Sequence, residues 1–189
     1  MSFSDDKGNA LSLPLSLVQT GHATTTATLS QTIAAGASLV IVTQASTALV
    51  GSAQLTTDGN VSGFAIFRSP KGQEAVVPLE TRNASAYVLA FDNTNHLVTG
   101  VALANDSIPS QTVAVGVVLR DETGASLGTA TINLVAGGHT SFLLADSYAS
   151  AAGKRGTVGF DTPAGTQISA LGLRATPTGA VTTIPVLAK

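Results

Sequence analysis

The stretch Val113-Ala114-Val115-Gly116-Val117-Val118-Leu119-Arg120-Asp121-Glu122-Thr123-Gly124 decides the fold class. Val113, Val115, Val117 and Leu119 fall on one face of an extended chain, because successive side chains in a strand point to opposite faces. Asp121-Glu122-Thr123-Gly124 follows as a tight turn, with the glycine where a positive φ is needed. The same grammar runs outward in both directions. Short runs of Val, Ile, Leu, Thr and Ala recur between Gly, Asn, Asp and Pro clusters, and a helical period is hard to find. Strands are expected near Leu11–Leu17, Ala23–Ile33, Ser38–Thr43, Gly51–Thr57, Val61–Arg68 and Ala75–Leu79. Further strands are expected near Ala86–Phe91, Thr99–Ala104, Thr112–Arg120, Leu127–Leu134, Thr140–Ala145, Thr157–Phe160, Ile168–Arg174 and Thr183–Leu187.

The two groups echo each other. Ile33–Leu79 reads much like Leu134–Val186. Gly36 after Ala35 answers Gly137 after Ala136, and Gly51-Ser52-Ala53-Gln54-Leu55 answers Gly156-Thr157-Val158-Gly159-Phe160. Pro70, Gly72 and Pro78 answer Pro177, Gly179 and Pro185. The offset drifts from 101 to 107, as small loop insertions would make it drift. A period near 100 exceeds the roughly 20–50 residues of solenoid repeats and suits two copies of a small domain. The expected architecture is all-β: two tandem, internally related β-sandwich domains, immunoglobulin-like or similar. Residues 1–81 would be the shorter copy and residues 82–189 the fuller one, with Leu79–Ala86 as the boundary. Six expected strands before it and eight after leave the first copy short, either because it has lost strands or because the sequence begins inside it. Two small strands without a clear sequence pattern would make up the count; otherwise a sandwich short of strands has an exposed edge, which proteins cover or blunt. Cover by the second domain is the favoured route, and strand addition by a neighbouring molecule is the other. Val115, Val117, Leu119, Phe142, Phe160 and Leu171 are the expected core.

Composition narrows the function classes. Charged residues are only 11% of the 189, against about 25% in an ordinary domain, so much of the surface must be Ser, Thr, Asn, Gln and Gly. The net charge is −2 and no basic cluster exceeds Lys154-Arg155, which speaks against nucleic acid as a partner. The absence of cysteine removes disulfides, thiolate metal sites and cysteine nucleophiles. Tryptophan is also absent, which counts against an aromatic sugar-stacking platform. Met1–Ala10 is too polar to open a signal peptide, so an export signal, if there is one, is expected upstream of this sequence. No apolar run approaches the ~18 residues of a membrane span.

Ala90-Phe91-Asp92-Asn93-Thr94-Asn95, Thr99–Asn105, Leu119–Gly124, Gly137–Phe142 and Gly172-Leu173-Arg174 together resemble a poorly characterised β-sandwich module. That module is found near the C-termini of large exported bacterial proteins, often after adhesion-like or repeat domains. The likeness covers nearly all of residues 10–189, and its motifs are turn and strand-end signatures. It implies a fold, an extracellular or cell-surface location, and partners among the parent protein's other domains or cell-surface components. It implies no catalytic residues.

Individual candidates for chemistry are sparse. Gly124-Ala125-Ser126-Leu127-Gly128 matches the G-x-S-x-G elbow of serine hydrolases, but that elbow needs a strand before it and a helix after it. Here a hairpin turn is expected instead. His22, His96 and His139 have turn-forming neighbours and no partner at metal spacing, and are expected as independent loop residues. Asp92, Asn93, Asn95 and Asp106 form the one weak calcium candidate, on the expectation that their loops sit at neighbouring strand ends; Asx-turns explain the same residues more simply. Arg68 and Arg174 are expected to cap strand ends or to pair with nearby acids. Asp121 and Glu122 point to opposite faces and do not make a facing carboxylate pair. The sequons at Asn60, Asn83 and Asn105 mark exposed loops. No cofactor is implied. The expected function is a non-catalytic structural or interaction module of a larger exported protein: a spacer, stalk or surface-presenting unit. The alternative is a ligand-binding module for carbohydrate or calcium that uses loops at a sandwich end.

Overall fold

The structure, a computed structural model, describes residues 1–68, 72–107 and 111–189. Pro70 of the repeat lies outside the described residues. The chain is all-β, with sixteen strands, one helical turn α1 (Leu144–Ser147) and a 3₁₀ turn at Ala149–Ala151 among the described residues.

Residues beyond 82 hold β8 (Ala86–Asp92), β9 (Val98–Asn105), β10 (Val113–Asp121), β11 (Ser126–Leu134), β12 (His139–Leu143), β13 (Arg155–Asp161), β14 (Ile168–Ala175), β15 (Val181–Ile184) and β16 (Val186–Ala188). One sheet runs β11-β10-β13-β8-β16 and the other β12-β9-β14-β15. Every pairing in them is antiparallel. Their inner faces share one core, which includes Tyr87, Leu89, Leu103, Val115, Val158, Phe160 and Ile168, all 0% exposed. The alternation read in the sequence is what builds it. Val113, Val115, Val117 and Leu119 are buried while Ala114 and Arg120 are exposed. Phe142 and Leu171 are only half-buried, and Phe142 meets Tyr148 edge-on at 6.0 Å between ring centroids.

Residues before 82 hold β1 (Ser2–Asp5), β2 (Leu13–Leu17), β3 (His22–Thr26), β4 (Ile41–Thr43), β5 (Gly51–Gln54), β6 (Phe64–Arg68) and β7 (Glu74–Pro78). Their sheets are small: β1-β5, β3-β2-β4 and β6-β7. They do not build a second core of the expected kind. Among their described apolar side chains only Phe3, Leu15, Leu17 and Ala75 are buried. The physical reason is the strand pairing. An isolated two-stranded ribbon has no opposite layer on which to bury a face.

Among the described residues the halves touch where β5 and the turn at Gly8 lie by β12 and its approach, and where β7 lies beside β15. At one, Gly8 (φ +77) lies so close to the Ala136 carbonyl that a Cβ would sit 2.1 Å from its oxygen. There His139 N donates to Asp6 O at 3.3 Å, and His139 Nδ1 lies 2.8 Å from Asp6 Oδ1. At the other, β7 runs beside β15, and Thr183 Oγ1 donates to Val76 O. The expected boundary is itself fastened down. Arg82 pairs with Glu80, donates from Nη1 to Val186 O at 2.6 Å, and places its guanidinium 5.3 Å from the centre of the Tyr87 ring. The hydrogen bond from Arg82 holds the Glu80 carboxyl below its ordinary range, although partial burial works the other way.

Candidate interaction surface

The same local geometry recurs in the two halves at positions finer than the glycine and proline landmarks. Asp5-Asp6-Lys7-Gly8-Asn9 and Asp121-Glu122-Thr123-Gly124-Ala125 close the same turn. In each the aspartate N–H donates to the carbonyl four residues on, at 2.9 Å, and the glycine N–H donates back to the aspartate carbonyl at 3.0 Å. The Asp5 carboxylate accepts from Lys7 N and Asn9 N, and the Asp121 carboxylate from Thr123 N and Ala125 N. Both carboxyls are held below their usual range, Asp5 chiefly by the Asn9 side chain and Asp121 chiefly by the Thr123 hydroxyl.

The strand that precedes each turn pairs in the same register. Phe3 faces Ala53 and Asp5 faces Gly51 between β1 and β5. Leu119 faces Val158 and Asp121 faces Gly156 between β10 and β13. Gly51 and Gly156 are required for one reason: a Cβ would lie 2.0 Å from the Ser4 carbonyl oxygen in the first case and from that of Arg120 in the second. After the turn, Leu17-Val18 leads to His22 as Leu134-Val135 leads to His139. This register replaces the expected match of Gly36 with Gly137, because Gly137 stands just before β12 and its counterpart stretch stands just before β3. The β6-β7 hairpin repeats the β14-β15 hairpin. Ala65 faces Val77 where Gly172 faces Ile184, and Gly72 and Gly179 have φ of +83 and +85.

The halves differ in the neighbours of these strands. β13 lies between β10 and β8, whereas among the described strands β5 pairs only with β1. β14 lies between β9 and β15, whereas β6 pairs only with β7 among the described strands. All five residues of β6 are exposed, with Phe64 at 64% and Phe67 at 56%. Among the described residues, twelve of the fifteen exposed large hydrophobic side chains belong to residues 1–81. Residues 9–57 carry no charged side chain at all, so this surface has little to keep other apolar chains away. An apolar face next to an unpaired strand edge is open to pairing with another chain.

The residues singled out for chemistry are scattered. Asp92, Asn93 and Asn95 sit between β8 and β9, while Asp106 follows the far end of β9. Eight residues of strand separate them, roughly 25 Å at about 3.3 Å per residue. They do not share a strand end as expected, and each group serves its own loop. Asp92 accepts from Thr94 N and Oγ1, which with Arg155 nearby keeps its carboxyl below the usual range. Asn93 accepts from Thr99 N and donates to Ala151 O. Asn95 and His96 have positive φ. Burial raises the Asp106 carboxyl against a hydrogen bond from Ser169. Asn105, expected in an exposed loop as a sequon and as part of the oxygen-rich stretch Asn105-Asp106-Ser107, is instead buried and donates to the carbonyls of Gln111, Leu134 and Val135. No group of three or more metal-ligating side chains occurs among the described residues.

His139 corrects the expectation of independent loop histidines, since it starts β12 with its side chain 9% exposed against Asp6. Ser126 is exposed at the start of β11, within the β10-β11 hairpin rather than between a strand and a helix. Arg68 reaches across the β6-β7 hairpin to Glu74, with Nε 2.6 Å from Oε1. No helix among the described residues is long and apolar enough to cross a membrane. No known protein family, curated protein or solved structure matches the chain.

Proposed function

We propose that the chain is a non-catalytic structural or interaction module of a larger exported bacterial protein, a spacer or surface-presenting unit, built from two related copies of one β unit, of which only the second closes into a sandwich with its own core. The observation that carries the reading is the contrast between a closed sandwich and an adjoining half whose strand edges and apolar side chains stand open. The recurring turn, register and glycine contacts support common descent of the halves. The immunoglobulin-like size of residues 82–189 and the charge-poor surface suit an extracellular β module. The closed half supplies a stable body, and the open half supplies the contact surface toward other domains of the parent protein or toward cell-surface components.

Two measurements test this. Antibodies raised against the folded chain are expected to stain intact cells of the source organism without permeabilisation; staining that needs permeabilisation overturns the exported location. A serine-directed phosphonate probe is expected to leave the folded protein unlabelled. Labelling that Ser126→Ala abolishes overturns the non-catalytic reading.

A further inference from the structure

We infer that β6 is an acceptor for β-strand addition, and that its occupant is an extended segment of a separate partner polypeptide that lies antiparallel to it in the place β9 takes beside β14. The inference rests on the reading of the chain as an interaction module and names the mode of that interaction.

Backbone geometry identifies the open edge. Leu79 N donates to Gly63 O at 3.1 Å across the β6-β7 hairpin. In an antiparallel ladder alternate residues turn their N–H and C=O groups to the same side. Ala65 and Phe67 therefore bond toward β7, facing Val77 and Ala75. Phe64, Ile66 and Arg68 turn their backbone groups the other way, where no described strand pairs with them. In the second half the equivalent side of β14 is fully used by β9, with Gly172 opposite Val101 and Ala170 opposite Leu103.

The recurrence also states what the partner must look like. Val101 and Leu103 are buried at 3% and 0%, in a strand that alternates large apolar residues with small ones. They cross Gly172 and Ala170, which are small. Their counterparts Ala65 and Gly63 are small as well, so the space for large side chains on the incoming strand is already present. A second copy of this chain is a poor donor of the same strand, because β9 is held between β12 and β14 with its inward side chains in the core.

The test uses the full chain and a synthetic peptide of the β9 sequence, Leu97–Asp106, with residue-resolved amide hydrogen exchange. The peptide is expected to slow exchange at the Phe64 and Ile66 amides by about tenfold while the amides of Ala65 and Phe67, already in the ladder, change little. Ile66→Pro removes an outward N–H but no bond to β7, and is expected to abolish the protection at Phe64. Ile66→Val keeps the N–H and is expected to retain it. An unchanged exchange pattern with peptide overturns the proposal, as does protection that survives Ile66→Pro. Concentration-dependent protection of the same amides without peptide, with sedimentation as a dimer, also overturns it by making a second copy the occupant. These outcomes do not depend on where the parent protein resides or on Ser126, so the inference and the broader reading fail separately.

Discussion

Phe160 and Leu55 occupy equivalent places in the two halves, at the same distance beyond Gly156 and Gly51. Phe160 is fully buried and Leu55 is half-exposed. One step back, Val158 is fully buried and its counterpart Ala53 is exposed. The backbone register around each pair is the same. The difference lies in the neighbouring strands: β8 covers one side of β13, and no described strand stands there beside β5. Register and burial are thus separable. Short-range turn chemistry sets the first, and the count of partners sets the second.

The largest expected effect breaks the comparison if it fails. Phe160→Ala is expected to cost about 3–5 kcal/mol through lost transfer energy and a cavity, whereas Phe67→Ala, at an exposed position, is expected to stay within about 0.5 kcal/mol of wild type. Urea midpoints of the two variants check this, and equal shifts would show that the halves share one core. Next come the matched glycines. Gly156→Ala and Gly51→Ala each drive a methyl group into a cross-strand carbonyl, and about 1–3 kcal/mol of strain is expected at the first. At Gly51 the strain is expected to release by local separation of β1 from β5, visible as faster exchange at Ser4 and Ser52, which face each other across that ladder, with a smaller shift in the global midpoint.

A smaller effect belongs to the boundary. Arg82→Ala removes the contact over Tyr87, the bond to Val186 O and the pairing with Glu80. A cost of about 1 kcal/mol is expected in thermal unfolding of the second half, with salt reducing only the Glu80 share. The smallest effect is pH-dependent. Burial raises the Asp106 carboxyl above its unfolded value. The stability tied to its neutral form is fully present below the unfolded value and is lost as pH rises through the folded one. Asp106→Asn is neutral throughout, so its stability is expected to fall less across that window. At neutral pH it should equal or exceed wild type, by under about 1 kcal/mol in urea titrations.

What the sequence revealed follows the same division. Alternation such as that from Val113 to Leu119 and the punctuation of Gly and Asp were enough to place β2 to β14, since both are local, whereas the single strand expected at Thr183–Leu187 is two, β15 in one sheet and β16 in the other, broken at Pro185. β1 was not legible, because Ser2-Phe3-Ser4-Asp5 is mostly polar and becomes a strand through partners the local pattern does not show: β5, some fifty residues away, on one side and the bridges to Ala10 and Thr28 on the other. The match of Asp5–Asn9 with Asp121–Ala125 was visible in principle as Asp, an acid, one residue, then Gly. Glycine spacing from Ile33 onward hides it, because that spacing aligns Gly36 with Gly137 and starts beyond the Asp5 turn. The openness of β6 was not legible at all. Phe64-Ala65-Ile66-Phe67 reads as a strand to be buried, and its exposure depends on a neighbour that no local pattern records. The separation of Asp92 from Asp106 was likewise a matter of path: β9 carries the chain from one end of the sandwich to the other between them.

The pairing of β16 with β8 has a consequence under load. Lys189 N donates to Ala86 O at 3.0 Å, and Ala188 lies opposite Tyr87. The first strand of the closed half and its last strand are therefore antiparallel neighbours whose outer ends meet at one corner. Tension applied between residues 86 and 189 would pull on their bonds one after another, peeling β16 away from the corner inward, rather than loading all of them together in shear. Loaded this way, the closed half would yield first at the three-residue strand that closes it.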